Sequence, residues 1–159
     1  MSAATTPDVS LLNAYHTEWR FLSEHPCNVL LEGAVNATDV ALRLLRPHIR
    51  EPIAWYQPPA TLNLPSGETR ALILRDAAAL SRDEQRRLLA WMGDTGSRTH
   101  IISTSARPLF VLVASGLFDA GLYYRLNVML LRFVAPPVHD RLPRGGAEGS
   151  IAVSTSPLV

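Results

Sequence analysis

Carboxylates, hydroxyls and arginines follow short apolar runs at three places in this chain, and the chemistry they suggest is phosphate handling. The first is NVLLEGAVNATDVALRLL, Asn28 to Leu45, which reads as an apolar strand, a turn at Gly33 and a helix carrying Thr38 and Asp39. That order has the shape of a phosphate-binding loop, where backbone N–H groups close on anionic oxygens and a lysine neutralises them. All 15 residues counted as Lys or Arg are arginine, so no lysine-dependent chemistry can come from this chain. The second place is ALILRD, where an apolar run ends in Arg75 and Asp76. Asp76 could hold a water, but an arginine cannot coordinate Mg²⁺, which takes hard oxygen ligands. A pairing of Asp76 with Arg75 or another arginine is the simpler expectation. The third is THIISTSAR, Thr99 to Arg107, whose hydroxyls at Ser103, Thr104 and Ser105 are expected to finish a strand and cap the next helix.

Other chemistries find little support. The five histidines, His16, His25, His48, His100 and His139, are scattered, and His25-x-Cys27 falls short of a zinc set. No metal site is expected. A G-x-S-x-G nucleophile elbow is absent.

The elements that must position these groups follow from apolar spacing. Leu11, Leu12, Tyr15, Trp19 and Leu22 recur at helical intervals and predict a helix over Val9 to Ser23, ended by His25-Pro26. Asn28 to Leu31 predicts a strand, and Thr38 to Leu45 a helix stopped at Pro47. Pro52 to Tyr56 is a second strand; Gln57 to Thr69, with three prolines and a glycine, is a loop. Ala71 to Leu74 is a third strand. S-R-D-E from Ser81 is a capping box, with Glu84 reaching back to the Ser81 amide. The helix it starts runs to Met92, with Asp83 and Arg87 supporting each other, and Gly93 or Gly96 closes it. Arg82, Arg86 and Arg87 read as its solvated face. Thr99 to Thr104 and Val128 to Val134 complete five strands. Leu109 to Ala114 stays open, since Pro108 suits a first helical turn while the composition is β-rich. Strands alternating with helices imply an α/β fold with a parallel sheet covered on both faces.

A further run, LFDAGLYYRLNV from Leu117 to Val128, carries the most specific signature. Its core resembles the FR-x-DLYYRLNV segment of the AAA+ ATPase domain in bacterial sigma-54-dependent transcription activators. The earlier runs resemble the same family's VLLxGESGTGKExVAR, TLFLDEVGELxxExQxxLL and IIATTNR segments. The resemblance implies a three-layer P-loop NTPase-like fold with a five-stranded parallel sheet, here the AAA+ α/β subdomain without its helical lid. It covers Val9 to Arg141, ending in APPVHDR, which is similar to the family's LPPLRER boundary. Only Arg50 to Arg70 fills the place of the long insertion that carries the sigma-contacting GAFTGA loop.

The same resemblance gives each candidate residue a role, and most are mismatched to it. Gly33 survives from the phosphate loop, but Asp39 stands at its lysine, where a carboxylate repels phosphate, and Thr38 at the glycine just before that lysine. Arg75 stands at the metal-organising aspartate, Asp76 at the water-activating glutamate and Ala106 at the sensor asparagine. Asp119 replaces the first arginine of FR-x-DL and Gly121 its aspartate. Arg125 is retained, and in the family such an arginine reaches a neighbouring subunit's nucleotide. Its alternative is an ordinary helix-surface arginine paired with Asp119 or a partner's acid. Asp119, Tyr123, Tyr124 and Arg125 are therefore candidate subunit-interface residues, and no residue is expected to be catalytic.

Composition sets the outer bounds. With 159 residues, 47% hydrophobic and 18% charged, the chain holds one globular domain, expected over residues 9–137 between a flexible leader (1–8) and a disordered tail (138–159). A net charge of +1 gives no basic field for DNA or an anionic membrane. One cysteine suits a reducing cytoplasm, and the N-terminus carries no signal-peptide pattern. The expectation is a pseudo-ATPase module acting in transcription regulation by contact with a protein partner, itself or a sigma-54-type activator. It needs no cofactor. Two other readings stay open: weak ATP or ADP binding without hydrolysis, and a structural domain of a larger regulator.

Overall fold

Apolar runs with side chains buried on both faces account for the architecture of the computed structural model, which describes residues 14–94 and 98–133. Five strands, β1 (Val29–Gly33), β2 (Ile53–Tyr56), β3 (Ala71–Leu74), β4 (His100–Ser105) and β5 (Met129–Phe133), pair in the order β2-β3-β4-β1-β5. Every pairing is parallel. Side chains along a strand alternate between faces. Leu30, Leu72, Leu74 and Ile101 accordingly join one core, while Val29, Leu31, Ile73 and Ile102 join the other. Each such side chain contributes about 1.5–3 kcal/mol by leaving water. That is why these strands read as unbroken apolar runs.

Five helices cover the two faces. α1 (His16–Glu24) and α2 (Val35–Leu45) lay Trp19, Leu22, Ala41, Leu42 and Leu45 on one side. α3 (Arg82–Asp94), α4 (Leu109–Ala114) and α5 (Ala120–Leu126) bury Leu88, Leu109, Leu112, Leu122 and Leu126 on the other. The element left open at Leu109 is thus a short helix: its apolar Leu109 and Leu112 are buried while Phe110 and Val111 face outwards, a helical rather than a strand pattern. The architecture is the three-layer α/β fold expected, and the described residues comprise only its α/β part.

Several local expectations need correction. The second helix begins at Val35, not Thr38. Gly93 lies inside α3 rather than closing it, and Gly96 is outside the described residues. Arg86, not Arg87, pairs with Asp83, because Arg87 donates instead to the Leu62 carbonyl at 3.2 Å. Arg82 likewise reaches the Gly116 carbonyl, so two of the three arginines tie loops to α3. Residues 57–70 do form a loop, but a pinned one: Leu62 is fully buried and Trp91 Nε1 donates to Pro65 O at 3.1 Å. The expected leader (1–8), the beginning of the first helix (9–13), the 135–141 boundary and the tail (138–159) lie outside the described residues.

Candidate functional site

In an open parallel sheet, ligands bind beyond the C-terminal ends of the strands. The fold brings Gly33, Thr38, Asp39, Arg75, Asp76 and Ala106 to that edge, each just after β1, β3 or β4 or in the first turns of α2. The connection at β1 is short. β1 ends at Gly33 and α2 starts at Val35, so Ala34 alone connects them. A single residue leaves no loop whose amides could surround a phosphate. Thr38 is buried and donates its hydroxyl to Val35 O at 3.0 Å, inside the helix.

Arg75 reaches across from β3 to Asp39 on α2 and forms an ion pair with it. The guanidinium and carboxylate are 27% and 40% exposed, a half-buried pair. Asp76, expected to partner Arg75 or another arginine, is in none of the ion pairs among the described residues. Its backbone turns left-handed, φ +50°, and its N–H donates to Thr104 Oγ1 at 3.0 Å, leaving the carboxylate outwards. Asp tolerates this conformation better than most residues.

The hydroxyls do not cap the next helix either. Thr104 receives the Asp76 amide, Ser105 donates to Arg107 O at 2.5 Å, and Ser103 Oγ is buried without a partner among the described residues. Glu32 takes the capping role. Its side chain is only 4% exposed; one oxygen accepts from the Leu109 amide at 2.8 Å and the other from Arg132 Nε at 3.0 Å. Sequence reading missed Glu32, and the only available signal was a charge placed inside an apolar strand. Ala106 is exposed beyond β4.

The LYYRLNV segment sits at the opposite edge. Asn28, just before β1, donates to Arg125 O at 2.8 Å and accepts from the Ile101 amide at 2.8 Å, tying α5 to the start of two strands. Five residues of strand therefore separate Arg125 from Gly33, about 16 Å at the rise of a strand. Asp119 does not pair with Arg125; its Oδ1 caps α5 by accepting from the Leu122 amide at 2.8 Å. Tyr123 is 5% exposed and its hydroxyl accepts from Asn127 at 2.9 Å, so it belongs to the core rather than to a contact surface. Tyr124 is 65% exposed and Arg125 is also on the surface. Phe110 and Val111 of α4 are exposed as well, and Phe110 meets Tyr123 at a ring distance of 5.9 Å.

Another buried group was missed. Gln85 of α3 donates to Leu80 O and Leu117 O and accepts from the Asp119 amide at 2.8 Å, joining α3 to the turn before α5. At His25-x-Cys27, burial pushes the Cys27 thiol up, away from reactivity. Among the described residues no cluster of three or more His, Cys, Asp or Glu could hold a metal. No described helix is long and apolar enough to cross a membrane.

A five-stranded parallel sheet with its mismatched residues gathered at one strand edge defines a P-loop NTPase-like α/β domain. A family model for the sigma-54 interaction domain matches residues 49–135, more than half of the chain, and the chain belongs to that family. The match begins after Asn28–Leu45, the strand–turn–helix without a phosphate loop. Among solved structures, NtrX from Brucella abortus in complex with ADP is 17% identical with a TM-score of 0.64, over 83% of this chain and 37% of that one. Its ATP complex gives the same identity and TM-score over 85% and 37%. The P-loop NTPase domain of a sigma-54 transport activator from E. coli is 22% identical with a TM-score of 0.54, over 79% of this chain and 96% of that one. These likenesses show the fold, and the chain spans little over a third of NtrX. Comparison with curated proteins gives no match.

Proposed function

We propose that this domain is a catalytically inactive AAA+-like module that acts in bacterial transcription regulation through protein contact. The observation that carries the proposal is the Arg75–Asp39 ion pair at the strand edge. The sequence resemblance expects a lysine on α2 and a metal-organising aspartate after β3; here the charges are exchanged and satisfy one another. A carboxylate on α2 repels phosphate, an arginine after β3 repels Mg²⁺, and the one-residue β1–α2 connection offers no amide cradle. The proposed contact surface is the exposed face of α4 and α5 around Phe110, Val111, Tyr124 and Arg125, and the proposed partner a second copy or a sigma-54-type activator. Aromatic and arginine side chains are the types enriched at protein interfaces.

The chain should show no magnesium-dependent ATP hydrolysis above background, and its size on chromatography with mass detection should rise when an activator's ATPase domain is added. Val111→Asp with Tyr124→Asp should abolish that rise. Turnover lost in Arg125→Ala, or a complex indifferent to the two aspartates, refutes the proposal. A second reading is ATP or ADP binding without hydrolysis, favoured by an open concavity of about 610 Å³ beside Arg43 and Arg75. NtrX, the structural neighbour, is seen with both nucleotides. A rise in melting temperature with ADP separates this reading from the first; ligand at 100 times its Kd adds about 2.7 kcal/mol.

A further inference from the structure

A separate cavity of about 510 Å³ opens at the N-terminal ends of the strands, the edge away from Arg75 and Asp39. Arg50, Arg70 and Arg98 reach it from the segments before β2, β3 and β4, and Arg125 from the last turn of α5. No aspartate or glutamate among the described residues lines it. The described ion pairs are Arg20–Glu24, Arg46–Glu51, Arg75–Asp39, Arg86–Asp83 and Arg132–Glu32. None involves the four cavity arginines. Four guanidinium groups thus surround one opening, none of them in an ion pair among the described residues. The negative end of the α5 dipole accounts for Arg125. It does not account for the other three, which lie on loops.

The remaining walls are aromatic and apolar. Trp91, whose Nε1 donates to Pro65 O, and the exposed Tyr124 both line it, with Met92, Ile101 and Val128 among the apolar residues. His100 also lines the cavity, and its Nε2 has no hydrogen-bond partner among the described residues. The volume falls within the range of small-molecule sites, which combine apolar walls with a few convergent polar groups. Guanidinium forks match the oxygens of phosphate with paired, charge-assisted hydrogen bonds.

We infer that this cavity is a binding site for a small aromatic phosphate, its phosphate held by Arg50, Arg70, Arg98 and Arg125 and its ring set against Trp91 and Tyr124. The site lies away from the Arg75–Asp39 edge and shares Tyr124 and Arg125 with the proposed contact surface, so the substitutions that test it are placed at Arg70 and Arg98. The test is calorimetric titration of the full chain with 1-naphthyl phosphate, beside 1-naphthol and inorganic phosphate. Saturable binding is expected for 1-naphthyl phosphate, with each fragment at least tenfold weaker. Arg70→Gln with Arg98→Gln, both exposed and without an ion pair among the described residues, should weaken it at least tenfold with an unchanged circular-dichroism spectrum, and Arg75→Gln should leave it unchanged. Absence of saturable binding overturns the inference, as does parental affinity in the double variant or loss of binding in Arg75→Gln. Inorganic phosphate binding as tightly as the naphthyl ester overturns it too, since the aromatic wall would then contribute nothing.

Discussion

Gly33 is retained from a phosphate-loop pattern, yet its surroundings explain it without phosphate. Its φ of +155° is one that L side chains rarely adopt, and a Cβ built there would lie 2.6 Å from Phe133 O on the adjoining strand. The glycine is needed so that β1 and β5 can pair to their ends. Gly33→Ala should cost about 2–4 kcal/mol from overpacking and backbone strain together, read as a lower urea midpoint. An unchanged midpoint would return Gly33 to the ligand-binding explanation. Gly33, Asp39 and Arg75 thus share one lesson: each side chain or its absence is satisfied within the fold.

At the scale of elements, α5 shows how the residues of a signature helix are used within the fold. Asp119 stands where the family pattern has an arginine, and here it serves as the N-cap that a seven-residue helix needs to satisfy a free amide. Its own amide is received by Gln85, which fixes where α5 starts relative to α3. Asp119→Ala should cost about 1 kcal/mol of stability, while Asp119→Asn should cost only a few tenths. Equal losses in the two, by thermal or chemical denaturation, would remove the cap as the cause. α3 uses the other capping device: Glu84 accepts from the Ser81 amide at 2.9 Å and Ser81 Oγ from the Glu84 amide at 3.2 Å. Burial alone would raise the Glu84 carboxyl. Its hydrogen bonds from Ser81 and Leu62 and the charge of Arg87 outweigh this and hold it below its ordinary value.

At the scale of the whole molecule, the two cores on either side of the sheet bring titration into global stability. Burial of His100 at the start of β4 pulls its pKa from 6.5 down to about 4. The unfolded chain therefore takes up a proton between pH 6.5 and 4 that the folded chain refuses, so stability falls as pH drops through that window. At about 1.4 kcal/mol per pKa unit, discounted for the part of the ring still in contact with solvent, the loss is on the order of 2 kcal/mol. Glu84, with its pKa depressed, loses its contribution only as pH falls below about 4.5. The slope between pH 6.5 and 5 is thus assigned to His100. His100→Gln should flatten it in urea titrations at several pH values, and a slope that survives the substitution would place the titrating group elsewhere.

The sequence by itself determined the layers. Short apolar runs such as ALIL and VLL, bounded by polar and turn residues, read as strands buried on both faces, and the capping box of α3 is local chemistry that needs no distant partner. The LYYRLNV signature carried the family, which the match over residues 49–135 bears out. Pairings across the sequence were decided by the tertiary structure alone. Asp39 met Arg75 rather than leaving it to Asp76; Glu32 capped a helix 77 residues away; and Tyr123 turned into the core while Tyr124 turned out. The same is true of four arginines, far apart in the chain, that converge on one cavity. The physical reason is the same in each case. Periodicity records which face of an element is buried, whereas the partner of a charge depends on which strand ends the crossovers bring side by side.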